Sequence, residues 1–126
     1  AEPNSFAIQA TEAAFNDSEG WLDELNRYLA TNRAYLIEQV SETFPEIKIV
    51  EAKATYLAWL DCSAISKDTT ELCAFIRHET GLILSSGEIF GGNGRAFIRW
   101  NYACPLELLI DGVERFKKAV RKYSEQ

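Results

Sequence analysis

GLILSSGEIFGGNGRAFIRWNYACP, residues 81–105, is the stretch on which the reading of the whole chain turns. Gly81 fits the C′ position that closes a helix. Leu82-Ile83-Leu84 is predicted as a strand, and GEIFGGNG (87–94) as a glycine-rich loop. AFIRWNYA (96–103) is predicted as a second strand. Alternation then puts Phe97, Arg99 and Asn101 on one face and Ile98, Trp100 and Tyr102 on the other. Pro105 suits the first turn of a following helix. Gly91, Gly92 and Gly94 do not follow a strand and open a helix, and no Lys-Ser or Lys-Thr pair follows them, so they miss the phosphate-cradle pattern. A wide turn between two strands accounts for them, with glycine supplying positive φ where needed.

The same pattern extends outward from this stretch. Ile47 to Val50 is predicted as a short strand and ATYLAWLDC (54–62) as a longer, largely buried one. Asp68 is predicted to N-cap a helix carrying Leu72, Cys73, Phe75 and Ile76. The last helix has an apolar stripe of Leu106, Leu109, Ile110, Val113, Phe116 and Val120. Its acids lie early (Glu107, Asp111, Glu114) and its bases late (Arg115, Lys117, Lys118, Arg121, Lys122), as the helix dipole favours.

Toward the N-terminus, Asn4 is placed to cap a short helix, apolar nearly all round, through Phe15. Such a helix expects protein on most sides. Asn16-Asp17-Ser18 punctuates, and a long helix is predicted from near Glu19 to Phe44, stopped by Pro45. At 1.5 Å per residue it would be roughly 38 Å long, against a radius of gyration near about 14 Å for a globule of this size. A rod of that length suits a connector between domains. The fold class is therefore α+β: a small, mainly antiparallel sheet with helices packed on one side, preceded by a long helix.

Composition narrows the function classes. With 126 residues, 47% hydrophobic and 25% charged, the chain is an ordinary globular domain by size and content. A net charge of −6 argues against nucleic acid and against an anionic membrane surface. No apolar run reaches membrane-span length. Three scattered cysteines, Cys62, Cys73 and Cys104, make neither a disulfide framework nor a metal site, which points to a reducing cytoplasm. The Ala-Glu-Pro opening and the absence of methionine suggest a piece of a longer protein.

Catalytic candidates are few. His78, the one histidine, reads as a helix-end residue that favours the dipole. Cys62 and Cys73 fall on apolar positions and read as small hydrophobes. Cys104, before Pro105 at a helix start, is the one place where a lowered thiol pKa is conceivable. Arg99 stands apart, a guanidinium in the middle of a strand fit for the sheet centre. It must meet an anion or reach water. An ion pair within the domain, an edge strand on which the side chain is simply solvated, and the bidentate capture of a ligand carboxylate are all open at this point.

ATYLAWLDC (54–62) and GLILSSGEIFGGNGRAFIRWNYACP (81–105) together resemble the small domain of fold-type-I pyridoxal-phosphate enzymes, the class I/II aminotransferase superfamily. The branch they resemble is the bacterial cystathionine β-lyase-like C–S lyases. PNSFAIQATEAAF (3–15) and GWLDELNRYL (20–29) look like the stretch after the cofactor-lysine region in that branch. The resemblance implies residues 1–18 as the end of the large cofactor domain, 19–44 as the connector helix and 45–126 as the small C-terminal domain. It implies pyridoxal phosphate as cofactor, held by a lysine of the large domain. It also implies an amino-acid substrate whose α-carboxylate Arg99 binds, and a homodimer. None of the six lysines here matches the cofactor-lysine motif. No catalytic, cofactor-binding or metal-binding residue is therefore assigned to this chain, and the chain alone is expected to be inactive. The sequence departs from many relatives at Leu106, where they carry a basic residue. Transamination by the same superfamily, and a freestanding α+β binding module, are the alternative readings.

Overall fold

Period-two alternation divides the two middle strands into a covered face and an open one. In a computed structural model, which describes residues 3–17 and 20–125, β2 (Leu57–Asp61) and β4 (Phe97–Asn101) pair antiparallel in the centre of a four-stranded sheet. β1 (Lys48–Ile49) flanks β2 and β3 (Ser85–Ser86) flanks β4, both antiparallel, giving the order β1-β2-β4-β3. Ala58, Leu60, Ile98 and Trp100 point into the core and are buried. Trp59, Phe97 and Arg99 are on the other side and only partly covered.

The covered face is packed by helices. α3 (Thr69–Thr80) contributes Leu72 and Ile76, and α4 (Leu106–Ser124) contributes Leu109, Val113, Phe116 and Val120. The C-terminal part of α2 (Trp21–Thr43) adds Leu36 and Val40. Phe116 sits at the junction, meeting Trp100 and Phe44 edge-on at ring distances of 5.3 and 6.1 Å. The α+β class, the one-sided packing and the mainly antiparallel sheet are as the sequence indicated. Asp68 caps α3, its side chain accepting from the Thr70 N–H at 2.8 Å, and Gly81 closes that helix in the left-handed region.

Four expectations are corrected. The run Leu82-Ile83-Leu84 is not a strand; pairing begins only at Ser85, opposite Arg99. Its apolar character reflects Leu82 and Leu84 packing on the core while Ile83 is exposed, a matter of burial without a ladder. The 54–62 strand starts late, at Leu57, because Thr55 adopts a positive φ of 69° that turns the chain before the ladder begins. Tyr102 holds that turn, donating from its hydroxyl to the Thr55 carbonyl at 2.9 Å and from its N–H to Tyr56 at 3.1 Å. The long helix runs 23 residues, roughly 35 Å, and ends at Thr43 with Phe44 as its cap. Its expected start at Glu19, like Ser18 of the preceding punctuation, lies outside the described residues. Finally, 87–94 does join two strands, but the second, expected over 96–103, runs only Phe97–Asn101, because Ala96 belongs to a 3-10 turn, Gly94–Ala96, that follows another over Gly87–Phe90.

α1 (Ser5–Asn16) is capped by Asn4 as expected, with its side chain accepting from the Ala7 N–H at 2.8 Å, yet it buries no residue. Phe6 and Phe15 are 79% and 86% exposed. The first turns of α2 continue this uncovered surface with Trp21 and Leu22. Further along, α2 is stitched to the turn between β4 and α4 by two polar side chains. Asn32, fully buried, donates from its amide to the carbonyls of Tyr102 and Cys104 at 2.9 and 2.8 Å. The Tyr28 hydroxyl accepts from the Leu106 N–H at 2.8 Å, satisfying one of the donors left open at the start of α4.

A candidate carboxylate site on the open sheet face

Arg99 lies mid-strand on β4, between Trp59 of β2 and Ser85 of β3 in register. Its one side-chain hydrogen bond among the described residues is a long one, Nη2 to Ser85 Oγ at 3.4 Å. Its Cζ lies 4.7 Å from the centroid of the Phe90 ring. No carboxylate pairs with it among the described residues: Asp61 accepts from the Ser63 N–H, Glu88 from Thr70, and Asp68 from Arg95. Of the readings left open by the sequence, the internal ion pair is not realised among the described residues, and β4 is not an edge strand. One of the five guanidinium donors is engaged among the described residues.

The Phe90 ring over that side chain is part of an aromatic cluster. Trp59 stacks on Phe97 with centroids 5.5 Å apart and meets Phe90 edge-on at 5.6 Å. Gly87 makes room for this wall, since a Cβ there would stand 2.9 Å from the Trp59 ring and 2.4 Å from the Gly94 carbonyl. Gly94 is under the reciprocal constraint, 2.1 Å from the Gly87 carbonyl. Close approach explains these two glycines, whereas Gly91 and Gly92 do take positive φ, 76° and 59°.

The loop is fastened to α3. Thr69, fully buried, has its hydroxyl 2.9 and 2.8 Å from the carbonyls of Arg95 and Phe97 and 3.0 Å from Ser86 Oγ. Arg95 donates to Asp68 at 2.6 Å. That hydrogen bond, helped by the Thr70 N–H, holds the Asp68 carboxyl below its ordinary range. A planar cation with open donors, beside an apolar wall on a braced strand, is suited to a carboxylate attached to a carbon skeleton.

The other candidates are placed elsewhere. His78 is exposed on α3, its Nδ1 3.2 Å from Glu79 Oε1. Burial pushes the Cys62 thiol up to about 12 and the Cys73 thiol up to about 11. Burial raises the Cys104 thiol pKa, so the lowered value conceivable at a helix start is not realised. It lines an apolar cleft of about 330 Å³ with Leu25, Tyr28, Leu29, Ala103 and Pro105. Among the described residues no cluster of three or more His, Cys, Asp or Glu could hold a metal ion, and no helix is long and apolar enough to cross a membrane. Sequence reasoning missed Trp59, Ser85 and Phe90 as neighbours of Arg99. Trp59 and Ser85 are identified only by register, and Phe90 only by the path of the loop.

No family model matches the chain. Cystathionine β-lyase PatB of Bacillus subtilis is 37% identical over 117 residues, covering 93% of this chain and 30% of that protein. Protein MalY of Escherichia coli is 32% identical over 121 residues, covering 96% and 31%. The solved C–S lyase of Staphylococcus hominis, bound to pyridoxal phosphate and L-cycloserine, superposes with a TM-score of 0.88 at 32% identity, covering 97% of this chain and 32% of its own. The chain therefore spans about a third of the length of the relatives it matches. By sequence and fold the chain matches the C-terminal portion of fold-type-I pyridoxal-phosphate enzymes. Within that superfamily its similarity runs to the cystathionine β-lyase and MalY branch.

Proposed function

We propose that this chain supplies the substrate-binding arginine of a pyridoxal-phosphate-dependent C–S β-lyase acting on amino acids, with Arg99 holding the α-carboxylate. The observation that carries this is a guanidinium on an interior strand that has, among the described residues, no acid partner and one weak hydrogen bond. Residues 1–18 then end the cofactor domain, 19–44 connect it and 45–126 form the small domain. The bare apolar surface of α1 and of the start of α2 supports that division, since it calls for covering protein. A homodimer is the assembly that goes with this reading.

The residues present do not fit the cofactor itself. Arg99 and its neighbours Trp59, Ser85, Phe90 and Phe97 include no lysine. Of the six lysines, Lys48 donates to the Pro45 carbonyl, Lys117 to Gln39 and Glu114, and Lys122 to Glu79, while Lys53, Lys67 and Lys118 are exposed. Pyridoxal phosphate, held by the rest of the protein, would supply the electron sink for removing the α-proton and releasing the β-thiol. This chain's part is orientation. Two guanidinium N–H groups fix both carboxylate oxygens, and the Trp59–Phe97 stack shields one side of that pair from water.

The test is steady-state kinetics of the full-length enzyme with L-cystathionine. Arg99→Ala is expected to lower kcat/KM by about 30- to 1000-fold, equivalent to roughly 2–4 kcal/mol. Arg99→Lys should recover part of this, because the ammonium keeps the charge and loses the fork. The thermal midpoint should hold, as the partner anion arrives with the substrate. Wild-type kcat/KM in Arg99→Ala would refute the assignment. Aspartate aminotransferases among the relatives support transamination as a second reading; release of free thiol, against formation of a keto acid that retains the side chain, separates the two.

A further inference from the structure

Phe90 closes the 3-10 turn that follows β3, and its side chain is 51% exposed, so core packing does not account for an aromatic there. It touches the Trp59 ring edge-on and lies over the Arg99 guanidinium. The backbone brings it there deliberately. Ser86 caps the turn by accepting from the Glu88 N–H at 3.2 Å, and the left-handed φ of Gly91 turns the chain directly after Phe90. Arg99, meanwhile, has four flexible side-chain bonds and only the 3.4 Å contact to Ser85 to restrain them. An arginine held so loosely would spread over several rotamers, and each binding event would have to order it again.

We propose that Phe90 is a positioning residue for Arg99: its ring fixes the guanidinium by a cation–π contact and leaves the N–H edge free for the substrate carboxylate. This deepens the reading of Arg99 given above and rests on it. The ring attracts the cation without using any of its donors, which a carboxylate in the same place would consume. Because the carboxylate is held alike before and during the reaction, losing the ring acts on binding. Phe90→Leu should raise KM by about 2- to 5-fold, the strength of an exposed cation–π contact, with kcat unchanged.

The experiment is a double-mutant cycle in the full-length holoenzyme with L-cystathionine, using Phe90→Leu, Phe90→Tyr, Arg99→Ala and Phe90→Leu/Arg99→Ala, with the thermal midpoint of each. Phe90→Tyr keeps the ring and should keep the wild-type KM. In the Arg99→Ala background, Phe90→Leu should leave kcat/KM unchanged, because the cation it positions is gone. A loop-scaffolding role predicts otherwise: a lower midpoint and the same penalty in both backgrounds. The positioning role alone is overturned if Arg99→Ala impairs the enzyme while Phe90→Leu is silent, or is fully additive with it, or is matched by Phe90→Tyr. If Arg99→Ala keeps wild-type kcat/KM, the carboxylate anchor is overturned and this inference with it.

Discussion

Replacing Asn32 with leucine would leave two main-chain carbonyls, those of Tyr102 and Cys104, without their donors. Asn32 is fully buried, and its amide reaches them at 2.9 and 2.8 Å. Each carbonyl stripped of a partner costs about 1–3 kcal/mol where water cannot replace the bond. Part of that is offset, because the Asn32 Oδ1 is itself buried with no partner among the described residues and would go too. The net expectation for Asn32→Leu is about 2–4 kcal/mol, or roughly 10 °C in Tm for a domain of this size. Asn32→Asp sharpens the test, since the shape is kept while an ionised carboxylate offers the carbonyls no donor. Protonated, it offers one. The folded state would therefore retain its proton after the unfolded chain loses it near pH about 3.9, so stability falls as pH rises above that value. Urea unfolding followed by tryptophan fluorescence, at pH 4 and pH 7, measures both effects. An Asn32→Leu variant within about 0.5 kcal/mol of wild type, or an Asn32→Asp variant whose penalty shrinks on going from pH 4 to pH 7, would refute this account of the stitch.

Glycine substitutions in the loop should rank by what their Cβ would strike. Gly94→Ala, 2.1 Å from a carbonyl oxygen, is expected to cost about 3 kcal/mol or more, and Gly92→Ala, in open space at a φ of 59°, about 1–2 kcal/mol; the reverse order in urea midpoints would disprove the close-approach argument. Asp68 has its pKa lowered first by the Arg95 hydrogen bond, so its stabilising contribution is complete above the unfolded carboxyl value and is lost as pH falls through the folded one. Asp68→Asn should flatten that acid-side slope, and parallel stability curves would count against the pair. With Cys62 and Cys73 buried at about 12 and 11, a thiol reagent at pH 8 should label Cys104 alone in the folded chain and all three in urea; rapid native labelling of Cys62 would contradict its burial.

What could be read from sequence follows the range of each interaction. Asp68 and Gly81 were identifiable because caps act over three or four residues. That Arg99 shares a face with Phe97 and Asn101 was legible because side chains alternate along any strand, whatever its partners. Ser85 and Ser86 form a strand only because β4 offers them a ladder, and two serines carry no alternation of their own. Leu82 to Leu84 misled for the opposite reason, since burial without pairing gives the same letters as a strand. Asn32 and Tyr28 sat within a helical apolar stripe, yet their polar ends serve a turn some 70 positions away. The Arg99 site divides in the same way: the cation was visible, while Trp59 and Phe90 reached it through register and loop path.

The reciprocal contact of Gly87 with Gly94 ties the base of the loop independently of its tip. Gly91, Gly92 and Asn93 are exposed beyond that knot, and a Cβ at either glycine would meet nothing within 4 Å. Length can therefore drift at the tip, beyond Gly91, while β4 keeps its pairing with β2. A single residue inserted inside β4 would instead invert the strand, turning Arg99 toward the core and Ile98 outward. The scaffold thus separates a segment open to evolutionary experiment, or to grafted loops in the laboratory, from a neighbouring one in which the reading frame of the sheet forbids it.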